Sequence, residues 1–284
     1  MSSALTALRR SFARAIEPTA SPSPPRRSTA EQPYAPEHPV PMPPQPKAKQ
    51  GSLRSEIMRR YFTGLGVTRT ELAHRYIRGA GIEFGALDFP TAVPPGTVVI
   101  DADFQPAEKV KELFSVEETT QPQIVSDLES MRGIGDESQD FIIANHVMEH
   151  VEDPLKALRS VSRVLRPNGV AFLALPEKRS TFDKDREITT LAHLLRDHEE
   201  GPDWSLAGHY EEWVRVVDGM TGEAHAQKVA LMLEQRANIH FHVWDFAAMM
   251  ELFTYVEREP SFRLAVENAT LNNLVEVVWI LRKR

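Results

Sequence analysis

From residue 81 onward, apolar residues fall in short blocks that each end on a polar or acidic residue. Gly81-Ile-Glu-Phe-Gly85 comes first, then TVVIDA at 97–102, QIVS at 123–126, DFIIA at 140–144 and GVAFLAL at 169–175. Such blocks predict buried strands, and glycine, proline or polar residues follow each one as a turn signal. Asp103, Asp127 and Asn145-His146 then fall at strand ends, as does Glu83 in the first block. Between the blocks, residues 106–114 and 153–166 read as helices. In the second helix Asp153 suits the cap and Pro154 the first helical position. Leu155, Leu158, Val161 and Leu165 form one stripe, and Pro167-Asn-Gly169 stops the helix. Alternating strands and helices predict an α/β fold with a mainly parallel sheet covered on both faces.

Residues 178–239 are polar, carry histidines and are too long for a connecting loop, so they read as a mostly helical insertion, a lid. The chain returns through IHFHVWDF to a helix at 245–257. It ends in two strands near 262–267 and 274–282, spaced for an antiparallel hairpin at the sheet edge. Residues 52–78 read as helical with a break at Gly64-Leu-Gly66. Residues 1–50 differ from the rest: 11 of the 21 prolines lie between Pro18 and Pro46. A segment so poor in large apolar groups cannot offset its ordering entropy, so it reads as a disordered arm preceding a domain at 51–284. Leu5, Leu8, Phe12 and Ile16 recur at helical spacing among Arg9, Arg10 and Arg14. They suggest an arm that folds on contact with a partner, with a membrane-surface helix or a transit peptide as alternatives.

The net charge of −7 implies no nucleic-acid surface. The absence of cysteine excludes disulfides, thiolate nucleophiles and cysteine-bound zinc, and suits a reducing, cytoplasmic setting. No apolar run approaches the roughly 18 residues of a membrane span.

DFIIANHVMEHVEDPLKALRSVSRVLRPNGVAFLALP resembles the strand 4, helix and strand 5 region of class I S-adenosylmethionine-dependent methyltransferases. GIEFGALDFPTAVPPG, LPEKRSTFD, HYEEWV and IHFHVW extend the likeness over about 200 residues. The resemblance implies a Rossmann-like sheet, S-adenosylmethionine as cofactor and a small-molecule acceptor. It places Asp103 on the ribose diol, Asp127 and the Leu128 amide on adenine, and Glu83, Gly85 and Ala86 near the methionine portion. Asn145 and His146 then lie beneath the sulfonium. Lys178, Arg179, Asp183 and His240 are candidates for the acceptor side, with His150 and His242 as bases and no metal ligands assigned. His240 and His242 would share one face of a strand.

Two departures stand against the family pattern. Only Gly85 remains of the usual glycine-rich turn, and Pro90, Pro94 and Pro95 leave no room for a helix between strands 1 and 2. The missing phosphate cradle argues against a nicotinamide oxidoreductase. The eroded glycines keep open a non-catalytic binding module on the same fold. His146-Val-Met-Glu-His150 has the H-x-x-E-H spacing of inverted zinc peptidases, but a strand before it and Pro154 after it leave no room for the helix that a zinc hydrolase needs.

Overall fold

The computed structural model describes residues 68–114, 119–272 and 274–284. The arm at 1–50 and, of the helical stretch expected at 52–78, the part before residue 68 lie outside those residues. Helix α1 (Arg69–Tyr76) begins on a reciprocal cap, with the Thr68 hydroxyl accepting the Glu71 amide and the Glu71 carboxylate accepting the Thr68 amide. The seven strands are β1 (Ala80–Phe84), β2 (Val98–Asp103), β3 (Ile124–Val125), β4 (Gln139–Asn145), β5 (Leu165–Pro176), β6 (Leu264–Asn272) and β7 (Glu276–Lys283). They form one sheet in the order β3-β2-β1-β4-β5-β7-β6. The pairs among β1 to β5 are parallel. β7 runs antiparallel to both β5 and β6, so it alone is reversed. This Rossmann-like arrangement matches the sheet and terminal hairpin read from the sequence.

Alternation along β4 shows why its apolar run is unbroken. Phe141 and Ile143 face α1 with Leu72, Ala73 and Ile77. Ile142 and Ala144 face the opposite core, built on Leu155, Leu158 and Val161 of helix α3 (Pro154–Val164) and on Leu252 and Phe253 of α7 (Phe246–Arg258). Helix α2 (Ala107–Phe114) follows β2. As expected, α3 is capped by the Asp153 carboxylate accepting the Lys156 amide, 2.9 Å. It ends at Val164, two residues before the expected limit, because Pro167 biases the preceding backbone toward extended geometry. Leu165 pairs with Gln139 and the ladder resumes at Val170 beside Phe141, so the proline-glycine turn sits within the start of β5.

No helix joins β1 to β2; residues 85–97 form a loop that leaves the sheet at Gly85, whose φ is +65°. The insertion is helical as predicted, with α4 (Leu191–Glu200), α5 (Asp203–Val216) and α6 (Gly222–Gln235). Leu206, Tyr210, Val214, Val229 and Met232 give it a core of its own, closed by Ile239 and Phe241. Residues 237–245 are extended but belong to no ladder, which corrects the expectation that His240 and His242 share a strand face. Instead, the Phe241 and His242 amides both donate to the Glu149 carbonyl, at 2.8 and 3.3 Å, and Thr189 brackets Val243 by a reciprocal backbone and side-chain pair.

Two glycine substitutions separate packing from propensity. A Cβ at Gly81 would stand 2.2 Å from the Phe141 carbonyl, whereas one at Gly208 in α5 meets nothing within 4 Å. Gly81→Ala is expected to cost about 1–3 kcal/mol. Gly208→Ala is expected to add about 0.5–1 kcal/mol, both read from urea unfolding midpoints.

Candidate active site

The carboxyl ends of β1, β2 and β4 carry polar groups onto one edge, where open α/β sheets hold ligands. Glu83 is buried, and burial pushes its carboxyl up to about 7 against the opposing hydrogen bonds of Thr91. The Thr91 hydroxyl donates to Glu83 at 2.6 Å and its amide lies 3.0 Å from both carboxylate oxygens. Asn145 Nδ2 in turn donates to the Thr91 hydroxyl at 2.8 Å. The proline-rich loop is thereby stitched across β1 and β4, and Glu83 holds that loop. Asn145 Oδ1 stays buried without a partner.

Asp103 ends β2, and burial raises its pKa against the amides of Phe104 and Gln105, which donate to it. Asp127 turns back on its own loop, accepting the Ser130 amide and hydroxyl at 2.7 and 2.6 Å. Those bonds outweigh its partial burial and hold it below its usual range. Leu128 and Ala86 are buried beside this edge. A Cβ on Gly85 would come within 2.8 Å of Val147, so glycine is needed there for both space and backbone angle.

Past β4 the backbone enters the left-handed region at His146, φ +55°. Its Nε2 meets Glu276 Oε2 at 2.7 Å, and its Nδ1 lies 3.5 Å from Glu149, an ion-pair neighbour rather than a hydrogen bond. Arg69 binds Glu276 through both guanidinium nitrogens of its fork, and Asn272 donates to it at 2.7 Å. Burial opposes charge on both partners. The paired carboxylates nevertheless lift His146 to about 9, and His146 with Arg69 lowers Glu276 to about 2.

Glu149 is fully buried and neither carboxylate oxygen has a hydrogen-bond partner. Burial pushes its carboxyl up, but the close contact from His146 and the charges of His146, His240 and His150 outweigh that and hold it below its usual range. His150 and His240 pack edge to face, 4.6 Å between ring centres. His150 Nδ1 points at the Ile239 carbonyl, 3.0 Å, and His240 Nδ1 at Asp183 Oδ2, 2.7 Å. These bonds assign Nδ1–H to each ring, and His240 Nε2 lies 3.9 Å from Glu149 Oε1. Burial, together with His240, holds His150 below its usual value. Glu149, His150 and His240 could hold a cation as well as a proton. The zinc-peptidase reading does not survive this geometry: Met148–His150 is a single 3-10 turn, and His146 points to Glu276.

Of the acceptor-side candidates, Asp183 and His240 meet. Lys178 and Arg179 form the lid root, Lys178 Nζ donating to the Arg186 carbonyl at 2.5 Å and Arg179 to Glu177 at 2.9 Å. Buried Arg186 ties Asp183 to Glu212 and to the His240 carbonyl. The two expected bases part company. His150 joins the Glu149 group, while His242 is buried in a second group with His193, Asp197 and His209. Burial, reinforced by its histidine neighbours, holds His242 far below its usual value, and burial with His193 takes His209 to about 4.

Arg69, Thr91, Glu276 and three members of the second histidine group, His193, Asp197 and His209, escaped the assignment of site residues from sequence, and Glu149 entered it only through the H-x-x-E-H spacing. Two signals were present: an acid at the mouth of the apolar run VVWIL, and the His193–Asp197 spacing of one helical turn.

This sheet order defines an α/β domain of the Rossmann-like kind. Residues 79–173 match the family described as methyltransferase domain. That match makes residues 79–173 a methyltransferase domain, in keeping with S-adenosylmethionine as the methyl donor. The chain is similar in fold to a protein from Pyrococcus horikoshii OT3, at 14% identity and TM-score 0.45, covering 82% of this chain and 92% of that one. It is also similar to a SAM-dependent methyltransferase from Methanosarcina mazei, at 14% identity and TM-score 0.39, covering 75% and 96%. A third likeness is to a SAM-dependent methyltransferase from Thermotoga maritima, at 14% identity and TM-score 0.36, covering 81% and 96%. No curated protein matches the chain. No helix among the described residues is long and apolar enough to cross a membrane.

The His146–Glu276 pair sets a stability window. His146 rises above its unfolded value, so its contribution is complete below about pH 6.5 and is lost as pH passes through about 9. Glu276 falls below its unfolded value, so its share is present above about pH 4.5 and is lost toward about 2. The difference in urea midpoint between wild type and Glu276→Gln is therefore expected to peak between those limits and shrink on either side. A difference that is flat in pH would remove the pair from that role.

Proposed function

We propose that this protein methylates a small-molecule acceptor, bound between the sheet edge and the helical insertion. The observation that carries the reading is the fully buried carboxylate of Glu149, four residues beyond the end of β4 and 3.9 Å from His240 Nε2. The cofactor fit rests on the same edge: a buried Asp103 carboxylate suited to a ribose diol, and Asn145 with an orphaned buried oxygen. Asp103 would hold the ribose and Asp127 with the Leu128 amide the adenine, while Gly85 and Ala86 give the backbone close approach to the methionine portion. When bound, S-adenosylmethionine supplies an electrophilic methyl group for direct displacement by an acceptor oxygen, nitrogen or carbon.

The residues of this chain do the rest. Asp183 fixes the His240 tautomer, leaving Nε2 to take the acceptor's proton. Ionised Glu149, 3.9 Å from that nitrogen, stabilises the imidazolium that forms. The insertion excludes water and aligns the reactants. His240 thereby moves from acceptor contact to base, in place of His242.

Calorimetry on Asp103→Ala is expected to show S-adenosylmethionine affinity reduced by about 10–100-fold, from losing hydrogen bonds to a charged group. Unchanged affinity would remove the ribose assignment, and failure of the wild type to bind would favour a non-catalytic module. With labelled methyl donor and a small-molecule cell extract, His240→Gln is expected to slow transfer by about 10²–10⁴-fold while cofactor affinity holds. A rate equal to wild type would exclude His240 as the base.

A further inference from the structure

The second histidine group is a site of its own. His193 and Asp197 stand one turn apart on α4, His209 comes from α5, and His242 comes from the extended segment that returns to the sheet. One ligand atom from each lies within 4.8 Å of the other three. His193 Nε2 is 3.2 Å from His209 Nε2 and 3.1 Å from Asp197 Oδ2. Ligand atoms about 2.0–2.1 Å from a tetrahedral ion are spaced by about 3.3 Å, so the two measured separations already suit one.

The surroundings orient the donors as metal sites require. Ser205 donates to Asp197 Oδ1 at 2.8 Å, which leaves Oδ2 buried and without a hydrogen-bond partner. His242 Nε2 points to the Glu152 carbonyl, 3.3 Å away, which puts the proton there and leaves buried Nδ1 as a bare lone pair. Trp244 stacks on the His242 ring at 5.6 Å and Trp204 covers His193 at 4.8 Å, limiting water. Without an ion, a fully buried carboxylate oxygen and an imidazole nitrogen both forgo their bonds, an arrangement that folded proteins avoid.

We propose that His193, Asp197, His209 and His242 form a closed four-ligand site for one divalent transition-metal ion of the zinc kind, which joins α4 and α5 to the segment leading back to the sheet. Three imidazoles and a carboxylate suit zinc, and four protein ligands leave no open position, so the ion is structural. The site shares no ligand with Glu149, His150 and His240, and the proposal stands independently of the acceptor chemistry.

The test uses the full chain, free of any histidine tag, stripped with chelator and titrated with cobalt(II) and then zinc(II). A stoichiometric uptake of cobalt with the intense visible bands of tetrahedral coordination is expected, followed by their loss as zinc displaces it. Zinc is expected to raise the thermal midpoint of the wild type. His209→Gln and Asp197→Asn are expected to abolish the bands, Ser205→Ala to weaken cobalt affinity by about 10–100-fold, and Glu149→Gln to leave the bands unchanged. Stripped wild type that keeps its native circular dichroism yet takes up neither metal would overturn the proposal. So would bands that survive in His209→Gln and Asp197→Asn but vanish in Glu149→Gln. If the ligand variants do not fold, the wild-type titration alone decides.

Discussion

One backbone oxygen organises the functional half of the molecule. The Glu149 carbonyl accepts the amides of both Phe241 and His242, and this fork docks the returning chain against the turn that follows β4. Everything chemical near that turn follows from the docking. His240 falls toward the Glu149 carboxylate, Phe241 plugs the core of the insertion, and His242 swings to the opposite group. A polar turn and an unladdered segment would each be expensive to bury alone, since amides and carbonyls need partners. Paired, they make a dry floor on which three imidazoles and two carboxylates can be set.

The charge pattern on that floor is graded. Arg69, Glu276, His146 and Glu149 form an alternating series from α1 across the end of β7 to the turn, so a carboxylate sealed from water keeps its charge. Each member is held by the next, which is why the pKa of buried Glu83 ends above its ordinary value and that of buried Glu149 below it. Glu83 has only a threonine and the unfavourable neighbour Asp101 beside its weak attraction to Arg69, whereas Glu149 has three imidazoles.

The scaffold was legible because its signals are local. Apolar runs such as FIIA and AFLAL, the Asp153-Pro154 start and the prolines between β1 and β2 each specify backbone from a few neighbours. The strand bounds met the structure within a few residues, except at Leu165–Gly169, where the proline turn lies inside β5, and at β6, which runs on to Asn272. The resemblance supplied the cofactor, and the family match over residues 79–173 agrees with it. The site was legible only where chain position decides it. Asp103 and Asn145 sit at strand ends by register, but Glu83 is taken up by Thr91, and His240 and His242 separate because no ladder holds them in phase. Arg69 and Glu276 are 207 positions apart, and no periodicity reports such a meeting.

The single residue between His240 and His242 has a mechanical consequence. Two residues of extended chain span about 7 Å at most, so the two histidine groups cannot drift apart by more than side-chain rotation allows. The insertion therefore cannot lift away as a rigid flap while both groups stay intact. Any breathing that admits or releases a ligand has to be absorbed elsewhere in the insertion, leaving the two neighbouring histidines as a fixed pivot.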